Sequence, residues 1–345
     1  MTGRTTRALA PLLLAAFAGT AAAQNVKITP LGSHAGELCS RDRATILEDP
    51  TGVRILYDAG QSVLGGADPR LGAVHVVLVS HAHGDHIGDQ RLRALEAGTC
   101  GNPELASATP NSTSGEIAAA KNAGLVMIAQ MAGFLGKRIE AITGKPTAAC
   151  PTQNGDDHVV PFAAPCVAGN NLGGARTFRT ANATRGVEIT IVPASHDSTV
   201  PRTLLGESER RNLEPDNLSL TLGPPSGYVI RFTNGLVLYL TGDTAIHADM
   251  KAVVHDFHHP NAMILNLGIS AVTMASGAYI ANELIQPASV ILSHVNEVGT
   301  TGGKVRAGSR SAQFIDLVKG RPVYPALSGR TMELDGNGRC VAGCA

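Results

Sequence analysis

Four side chains able to bind a metal ion lie within six positions of the sequence, at His81, His83, Asp85 and His86. Imidazole and carboxylate groups are ligands of zinc and of its neighbours among the transition metals. The four residues directly follow the apolar stretch Val74–Val79, which predicts a short buried strand. We therefore expect a metal site in the loop that leaves this strand, where Gly84 allows a tight turn. A solvated polar loop is the alternative interpretation.

Three further metal-capable residues occupy the same kind of position. Each follows an apolar stretch that predicts a strand, and the pairs are Val187–Pro193 with His196, Leu236–Leu240 with Asp243, and Val290–Leu292 with His294. If these strands end at one edge of the folded sheets, all seven side chains meet there. We therefore predict one metal centre assembled from four separate parts of the chain.

The order of these residues resembles the metallo-β-lactamase fold superfamily of metallo-hydrolases. The shared pattern is H-x-H-x-D-H, then a single His, an Asp and a last His, and the resemblance extends from about residue 26 to residue 300. It implies that one metal ion binds His81, His83 and His196 and that a second binds Asp85, His86 and His294. It also implies that Asp243 bridges the two ions.

Looser motifs resemble one branch of this superfamily, the ascorbate-6-phosphate-lactonase-like proteins. That branch also contains a phospholipase D that cleaves N-acyl-phosphatidylethanolamine. The motifs are Gly227–Ile230, Thr241–Thr244, Asp249-Met250 and Thr273-Met274.

The ligand set implies a hydrolase with two divalent ions. Such a pair lowers the pKa of a shared water toward about 7, and the resulting hydroxide attacks a carbonyl or phosphorus centre. Asp85 is expected to bind metal and to accept a proton from this water. Histidine and carboxylate suit Zn²⁺, the ion we expect, and also Mn²⁺ or Fe²⁺.

Asp243 bears on the bond that is cleaved, because zinc β-lactamases usually carry Cys or Ser at the matching position. The leading prediction is therefore hydrolysis of an ester or a lactone. The alternatives are phosphodiester hydrolysis, including phospholipase D-like cleavage, and β-lactam hydrolysis, which Asp243 disfavours. A non-catalytic binding protein is a further alternative, which the intact set of seven ligands disfavours.

Two residues are candidates for supporting the metal ligands. Asp58 matches a family Asp that hydrogen-bonds a ligand histidine, as metal-bound imidazoles generally require. Its alternative role is to cap the turn before Gly60. His34 follows the first predicted strand and is a candidate to face the site, with an ordinary loop histidine as the alternative.

Composition indicates one large domain and a small-molecule substrate. The chain has 345 residues, 43% of them hydrophobic, which is enough for a full core. Its formal net charge is zero, and it contains no Trp, so nucleic acid is not expected as a partner. We also expect no stable insertion into a membrane, and the sequence does not specify an oligomeric state.

Residues 1–23 have the pattern of a secretory signal peptide. Arg4 and Arg7 precede the apolar stretch Leu9–Phe17, and Ala21–Ala23 fits a small-residue cleavage site. The apolar stretch is too short to span a bilayer. We therefore predict a periplasmic or secreted protein, with residues 24–345 forming the hydrolase domain.

Export gives a role to the six cysteines, because an even number in an oxidising compartment predicts disulfides. We expect at least two, with Cys340 and Cys344 as one plausible pair. Cys100, Cys150 and Cys166 border one region, so at least one bridge should tie it down. Zinc binding by the cysteines is the alternative, although the sequence contains no C-x-x-C motif.

That region, at about 100–180, is predicted to be an insertion between the first metal-ligand cluster and His196. Within it, Gly115–Gly136 is predicted to be a helix with a broad apolar surface that includes Met131 and Phe134. Such a helix either packs on the core or forms an apolar lid that selects acyl substrates.

The fold predicted for the whole domain is an αββα sandwich of the metallo-β-lactamase type. Two mainly antiparallel sheets face each other, helices lie outside, and the metals sit at one edge.

Overall fold

A computed structural model describes residues 25–268 and 273–344, so the predicted signal peptide lies outside the described residues. The strands, in chain order, are β1 (Val26–Pro30), β2 (Thr45–Glu48), β3 (Arg54–Tyr57), β4 (Val76–Leu78), β5 (Gln90–Leu92), β6 (Gly98–Thr99), β7 (Asn102–Pro103), β8 (Leu105–Ser107), β9 (Gly124–Ile128), β10 (Asp157–Val160), β11 (Cys166–Asn170), β12 (Ala175–Thr180), β13 (Val187–Pro193), β14 (Ser226–Arg231), β15 (Val237–Leu240), β16 (Ala262–Asn266), β17 (Ser289–Ser293), β18 (Thr300–Thr301), β19 (Lys304–Val305), β20 (Val323–Pro325), β21 (Met332–Leu334) and β22 (Cys340–Ala342).

The α-helices are α1 (Gly84–Ile87), α2 (Thr113–Lys121), α3 (Ala129–Thr143), α4 (Glu207–Leu213), α5 (Met274–Tyr279) and α6 (Arg310–Leu317). Two π-helices (Met250–His258 and Ile280–Ile285) and a short 3₁₀ helix (Arg202–Leu204) complete the helical elements. In the part of the chain that the structure describes, no helix is both long and apolar enough to cross a bilayer.

Two eight-stranded sheets form the centre of the molecule. Sheet I has the strand order β11-β9-β4-β3-β2-β1-β21-β22, and sheet II has the order β10-β12-β13-β14-β15-β16-β17-β20. Both sheets contribute to one continuous apolar core. The Tyr228 hydroxyl of sheet II lies 2.7 Å from the carbonyl oxygen of Val79, at the end of β4 in sheet I, and donates to it. The sheets therefore pack against each other, as the predicted sandwich requires.

The strand pairing corrects one part of the prediction, because the sheets are mixed rather than mainly antiparallel. Among the described strands, β3-β4, β4-β9 and β9-β11 are parallel in sheet I. In sheet II, β10-β12 and the run β15-β16-β17-β20 are parallel. A parallel pair needs a crossover connection, and helices supply most of them here, such as α3 between β9 and β11. The predicted strands alone did not reveal which neighbours run in the same direction.

The predicted helix over 115–136 is wrong, because the structure divides it into helix, strand and helix. The α2 helix ends at Lys121, and Asn122 adopts a left-handed backbone with φ 51°. Gly124–Ile128 then forms the fully buried strand β9, which lies between β4 and β11 in sheet I. Met131 of α3 is completely buried. The segment is therefore part of the core, and the predicted apolar lid is not present.

All six cysteines are paired in the structure, as Cys39–Cys100, Cys150–Cys166 and Cys340–Cys344. The first pair joins the segment after β1 to the start of the predicted insertion. The second pair joins the N-terminus of β11 to the segment that follows α3. The region at 100–180 is therefore tied at two points and also contributes strands to both sheets.

Candidate metal centre

Four strand ends bring the seven predicted ligands to one edge of the sandwich. The residues follow β4, β13, β15 and β17 at a distance of one to eight positions. The helix α1 is a single turn, and it directs Asp85 and His86 toward the same point as His81. Gly84 opens this turn, where a Cβ atom would lie 2.5 Å from the Asp89 carboxylate. A larger residue at position 84 would therefore force the Asp89 side chain away from the turn that carries two of the ligands.

The seven side chains form two groups that share a carboxylate. We call His81, His83 and His196 the histidine triad, and Asp85, His86 and His294 the mixed triad. Asp243 lies between them, because its Oδ2 is 3.3 Å from His86 Nε2 and 3.8 Å from His196 Nε2. The structure thus brings together every residue of the predicted ligand set.

The donor atoms have the spacing that a metal ion requires. Ligand atoms about 2.1 Å from a tetrahedral zinc ion lie about 3.4 Å from one another. In the mixed triad, His294 Nε2 is 3.4 Å from both Asp85 Oδ2 and Asp243 Oδ2, and 3.2 Å from His86 Nε2. His81 Nε2 is buried and has no hydrogen-bond partner among the described residues. A buried polar nitrogen without a partner costs about 1–3 kcal/mol, so a bound ion would satisfy it.

In three of the histidines, one ring nitrogen lies within hydrogen-bond distance of a protein oxygen, and the other ring nitrogen is available to a metal ion. His81 Nδ1 is 3.0 Å from Ser80 Oγ, and His86 Nδ1 donates to Asp58 Oδ2 over 2.8 Å. His83 Nε2 is 2.6 Å from Asp197 Oδ1, which leaves its Nδ1 free. Metal-bound imidazoles generally have this second contact, because it sets the tautomer and the orientation of the ring. The residues present therefore fit a metal centre.

The charges of the centre also suit metal binding. Burial alone would raise the pKa of Asp85, but Arg43 and His86 hold it well below the usual value. Burial opposes ionisation of Asp243 as well, yet His294 and His86 keep its pKa well below the usual range. Both carboxylates are therefore ionised at neutral pH. Burial lowers the pKa of His81 and of His196, so these rings are neutral and have a lone pair for an ion.

His86 differs from these two histidines. Burial would lower the pKa of its ring, but Asp243, Asp58 and Asp85 together raise it well above the usual value. The ring therefore carries a proton when no metal is bound. Binding of an ion at His86 would release this proton, so metal affinity should fall as the pH is lowered.

Comparison with known proteins agrees with this site. No protein-family model matches the chain. The UPF0173 metal-dependent hydrolase of Archaeoglobus fulgidus is 26% identical over 221 residues, which cover 64% of this chain and 65% of that protein, just under two thirds of its length. A second UPF0173 metal-dependent hydrolase, from Koribacter versatilis, is 23% identical over 299 residues, or 87% of this chain and 97% of that protein.

A solved structure has the same fold. The metallo hydrolase Igni18 from the archaeon Ignicoccus hospitalis matches with a TM-score of 0.54 and 19% identity, covering 90% of this chain and 99% of that one. This comparison shows the fold that the sequence predicted, and the similarity to metal-dependent hydrolases supports the resemblance to the metallo-β-lactamase fold superfamily. The ascorbate-6-phosphate-lactonase-like branch stays a prediction.

Of the two predicted supporting residues, the structure places one, Asp58, at the metal centre. Asp58 is buried and accepts hydrogen bonds from His86 Nδ1 and from the backbone N–H and hydroxyl of Ser80. Its backbone is left-handed, with φ 40°, as is that of His294, with φ 49°. Such a backbone is uncommon outside glycine and is typical of functional sites. The side chain of His34, in contrast, hydrogen-bonds Ser33, and no hydrogen bond among the described residues joins it to any of the seven ligands.

Sequence reasoning missed the groups that donate hydrogen bonds to the carboxylates of Asp85 and Asp243. The guanidinium of Arg43 donates to Asp85 Oδ2 from Nε over 2.9 Å and also donates to Asn296 Oδ1 over 2.8 Å. Asn266 donates to Asp243 Oδ1 over 3.1 Å, which leaves Oδ2 facing the histidines. Asn266 ends β16, so its place at a strand end was a usable signal. Arg43 lies in a loop before β2 and carries no comparable signal.

Proposed function

We propose that the chain is an exported metal-dependent hydrolase that holds two divalent ions and cleaves an ester or lactone bond in a small molecule. The observation that carries this proposal is the convergence of seven histidine and aspartate side chains at one sheet edge, in groups of three whose ligand atoms lie within 4.8 Å of one another. When bound, divalent ions supply a hydroxide nucleophile at neutral pH and polarise a substrate oxygen. Zn²⁺ suits these ligands best, and Mn²⁺ or Fe²⁺ are alternatives.

The protein groups have separate roles in this proposal. Asp243 is shared by the two triads and therefore sets their separation. Asp85 is ionised and partly accessible, so it is placed to accept a proton from a water molecule at the cluster. Asp58 and Arg43 hold His86 and Asp85 in position. A pocket of about 580 Å³ that Asp85 helps to line is of the size that binds small molecules.

A substrate panel tests which bond is cleaved. The metal-loaded protein is assayed with p-nitrophenyl esters, homoserine lactones, bis-p-nitrophenyl phosphate and nitrocefin. We expect the highest kcat/KM with an ester or a lactone. Hydrolysis of the phosphodiester alone would favour the phosphodiesterase alternative, and hydrolysis of nitrocefin alone would contradict the role assigned to Asp243. No turnover of any of the four would overturn the proposed function.

Metal analysis tests the number of ions. We expect two ions per chain after reconstitution with Zn²⁺, and fewer in His196→Ala. The matched control is His259→Asn, which removes an exposed histidine from a left-handed position that asparagine tolerates. It should keep two ions. One ion per chain in a fully active protein would overturn the two-ion proposal.

The paired cysteines support export, because disulfides persist mainly in oxidising compartments. Expression of the full chain followed by cell fractionation tests this. We expect the protein in the periplasm or medium with its N-terminus near Gln24. An intact N-terminus and a cytoplasmic protein would contradict it.

A further inference from the structure

The pocket beside the mixed triad has polar walls. Its lining includes Asp85 of the triad together with Arg41, Arg43, Gln61, Asp89 and Asn296. An apolar lid for acyl chains was one of two interpretations of the helix predicted over 115–136, but that segment lies in the core. The walls next to Asp85 therefore suit a charged or strongly polar substrate better than a long acyl chain.

Arg43 and Asp85 neutralise each other in this pocket. Asp89 accepts hydrogen bonds from two neutral donors, the Gln61 amide over 3.0 Å and the Thr203 hydroxyl over 3.2 Å, and therefore keeps its negative charge. Arg41 is the remaining cation of the lining. Its Nη1 donates to Gln61 Oε1 over 3.2 Å, and no carboxylate in the described chain lies within salt-bridge distance of its guanidinium. Since a guanidinium has five N–H donors, four remain available at this wall.

The wall that carries Arg41 is held in place from two sides. Arg41 lies two residues after Cys39, and Gly101, which also lines the pocket, directly follows Cys100. The Cys39–Cys100 disulfide joins the two segments, and the backbone N–H of Ser40 donates to the Cys100 carbonyl over 3.1 Å. Gln61 then links Arg41 to Asp89 through its amide. The disulfide and the Ser40 hydrogen bond hold the backbone that carries Arg41, and the hydrogen bond to Gln61 orients its exposed side chain along the pocket wall.

From these contacts we propose that Arg41 is a specificity-determining residue that binds an anionic group of the substrate, a carboxylate or a phosphate. The substrates would then be esters or lactones that carry such a group away from the bond that is cleaved. A guanidinium donates two parallel hydrogen bonds to such oxyanions, which fixes orientation as well as adding affinity. This inference rests on the proposed hydrolase function and adds the substrate class.

A pair of isosteric lactones tests the inference by turnover. One is a γ-butyrolactone with a carboxylate on its ring, and the other carries a carboxamide at the same carbon. We expect the wild-type enzyme to prefer the carboxylate. In Arg41→Gln, the ratio of kcat/KM for the carboxylate to that for the carboxamide should fall about tenfold or more, because a charge-assisted hydrogen bond is lost. Arg41→Lys should restore part of the ratio.

The control is Arg185→Gln, which removes the same charge from an exposed loop residue that does not line the pocket. It should leave both lactones unchanged. An equal change of the ratio in this control would mean that the effect is long-range attraction, and it would overturn the inference. An unchanged ratio in Arg41→Gln would also overturn it.

Calorimetric binding provides a readout that does not depend on turnover. The probes are succinamate, 3-phosphonopropionamide and the neutral butyramide, which share one amide end. We expect the anionic probes to bind more tightly than butyramide, and Arg41→Gln to remove about tenfold of that difference. The stronger of the two anions identifies carboxylate or phosphate as the group. Binding that depends on Arg41 in a protein that cleaves none of the four panel substrates would keep the subsite and overturn the hydrolase function alone.

Discussion

The two triads of the metal centre differ in the residues that support them. In the mixed triad, His86 and Asp85 contact Asp58 and Arg43, whose side chains are 1% and 4% exposed. In the histidine triad, His83 contacts Asp197, whose side chain is 60% exposed. Buried charged partners are costly to leave unpaired, whereas exposed ones contribute little. The comparison indicates that buried residues position His86 and Asp85 of the mixed triad, whereas His83 of the histidine triad is supported by an exposed carboxylate.

Removal of the shared carboxylate should have the largest effect, because Asp243 belongs to both triads. We expect Asp243→Ala to lower kcat/KM by about a thousandfold or more, since the charge that faces both ion positions is lost. Metal analysis should show that both positions lose occupancy, while circular dichroism shows a folded protein. Retention of one tightly bound ion would mean that Asp243 belongs to only one triad.

The next largest effect concerns Arg43, which holds Asp85 of the mixed triad in position. Arg43→Met leaves Asp85 without its cation, so we expect metal affinity to fall by up to about a hundredfold. The free energy of unfolding should fall by about 3 kcal/mol, because a largely buried ion pair loses one partner. Competition with a chelator and denaturant titration measure the two quantities.

The matched control is Arg70→Met, which breaks the ion pair between Arg70 and the buried Asp68 outside the metal centre. It should lower stability without changing metal affinity. If both variants change metal affinity equally, Arg43 has no special role at the centre.

A smaller effect should distinguish the supporting residue of one triad from that of the other. Asp58→Asn should weaken metal binding about tenfold, because a buried hydrogen bond that orients His86 is altered. Asp197→Asn should weaken it less than about threefold, because its exposed contact with His83 is screened by water. Both are measured by the same chelator competition. Equal losses in the two variants would contradict the difference in support that the structure shows.

The smallest effect should come from the disulfide beside the pocket. In the double variant Cys39→Ser/Cys100→Ser, KM for the anionic lactone should rise about threefold, because the wall that carries Arg41 is less ordered before binding. Cys150→Ser/Cys166→Ser removes a disulfide that does not line the pocket and should leave KM unchanged. A KM that rises equally in both double variants would assign the effect to general loss of stability.

Thiol counting in denaturant should find at most two free thiols in the exported wild-type protein.

Local sequence pattern predicted the strands correctly where the burial of apolar residues alone determines the structure. The strands before His81, His196, Asp243 and His294 form as predicted, because short apolar stretches must be buried whatever their neighbours are. Gly115–Gly136 shows where this reasoning fails. Its apolar residues suit a helix and a buried strand equally, and Gly124–Ile128 became a strand because sheet I has a place for it between β4 and β11.

The sequence by itself determined the superfamily, the seven candidate ligands and the strand ends that carry them, because each depends on residue type and short spacing. Among the supporting groups, Asp58 was a candidate from the sequence, but only the tertiary structure revealed Arg43 and Asn266. These two residues lie far apart in the chain, and their distances to the centre depend on how the two sheets pack. The parallel strand pairs, the polar pocket and the position of Arg41 in its wall were also decided there. Contacts between distant segments are set by packing of the whole core, which no short stretch of sequence contains.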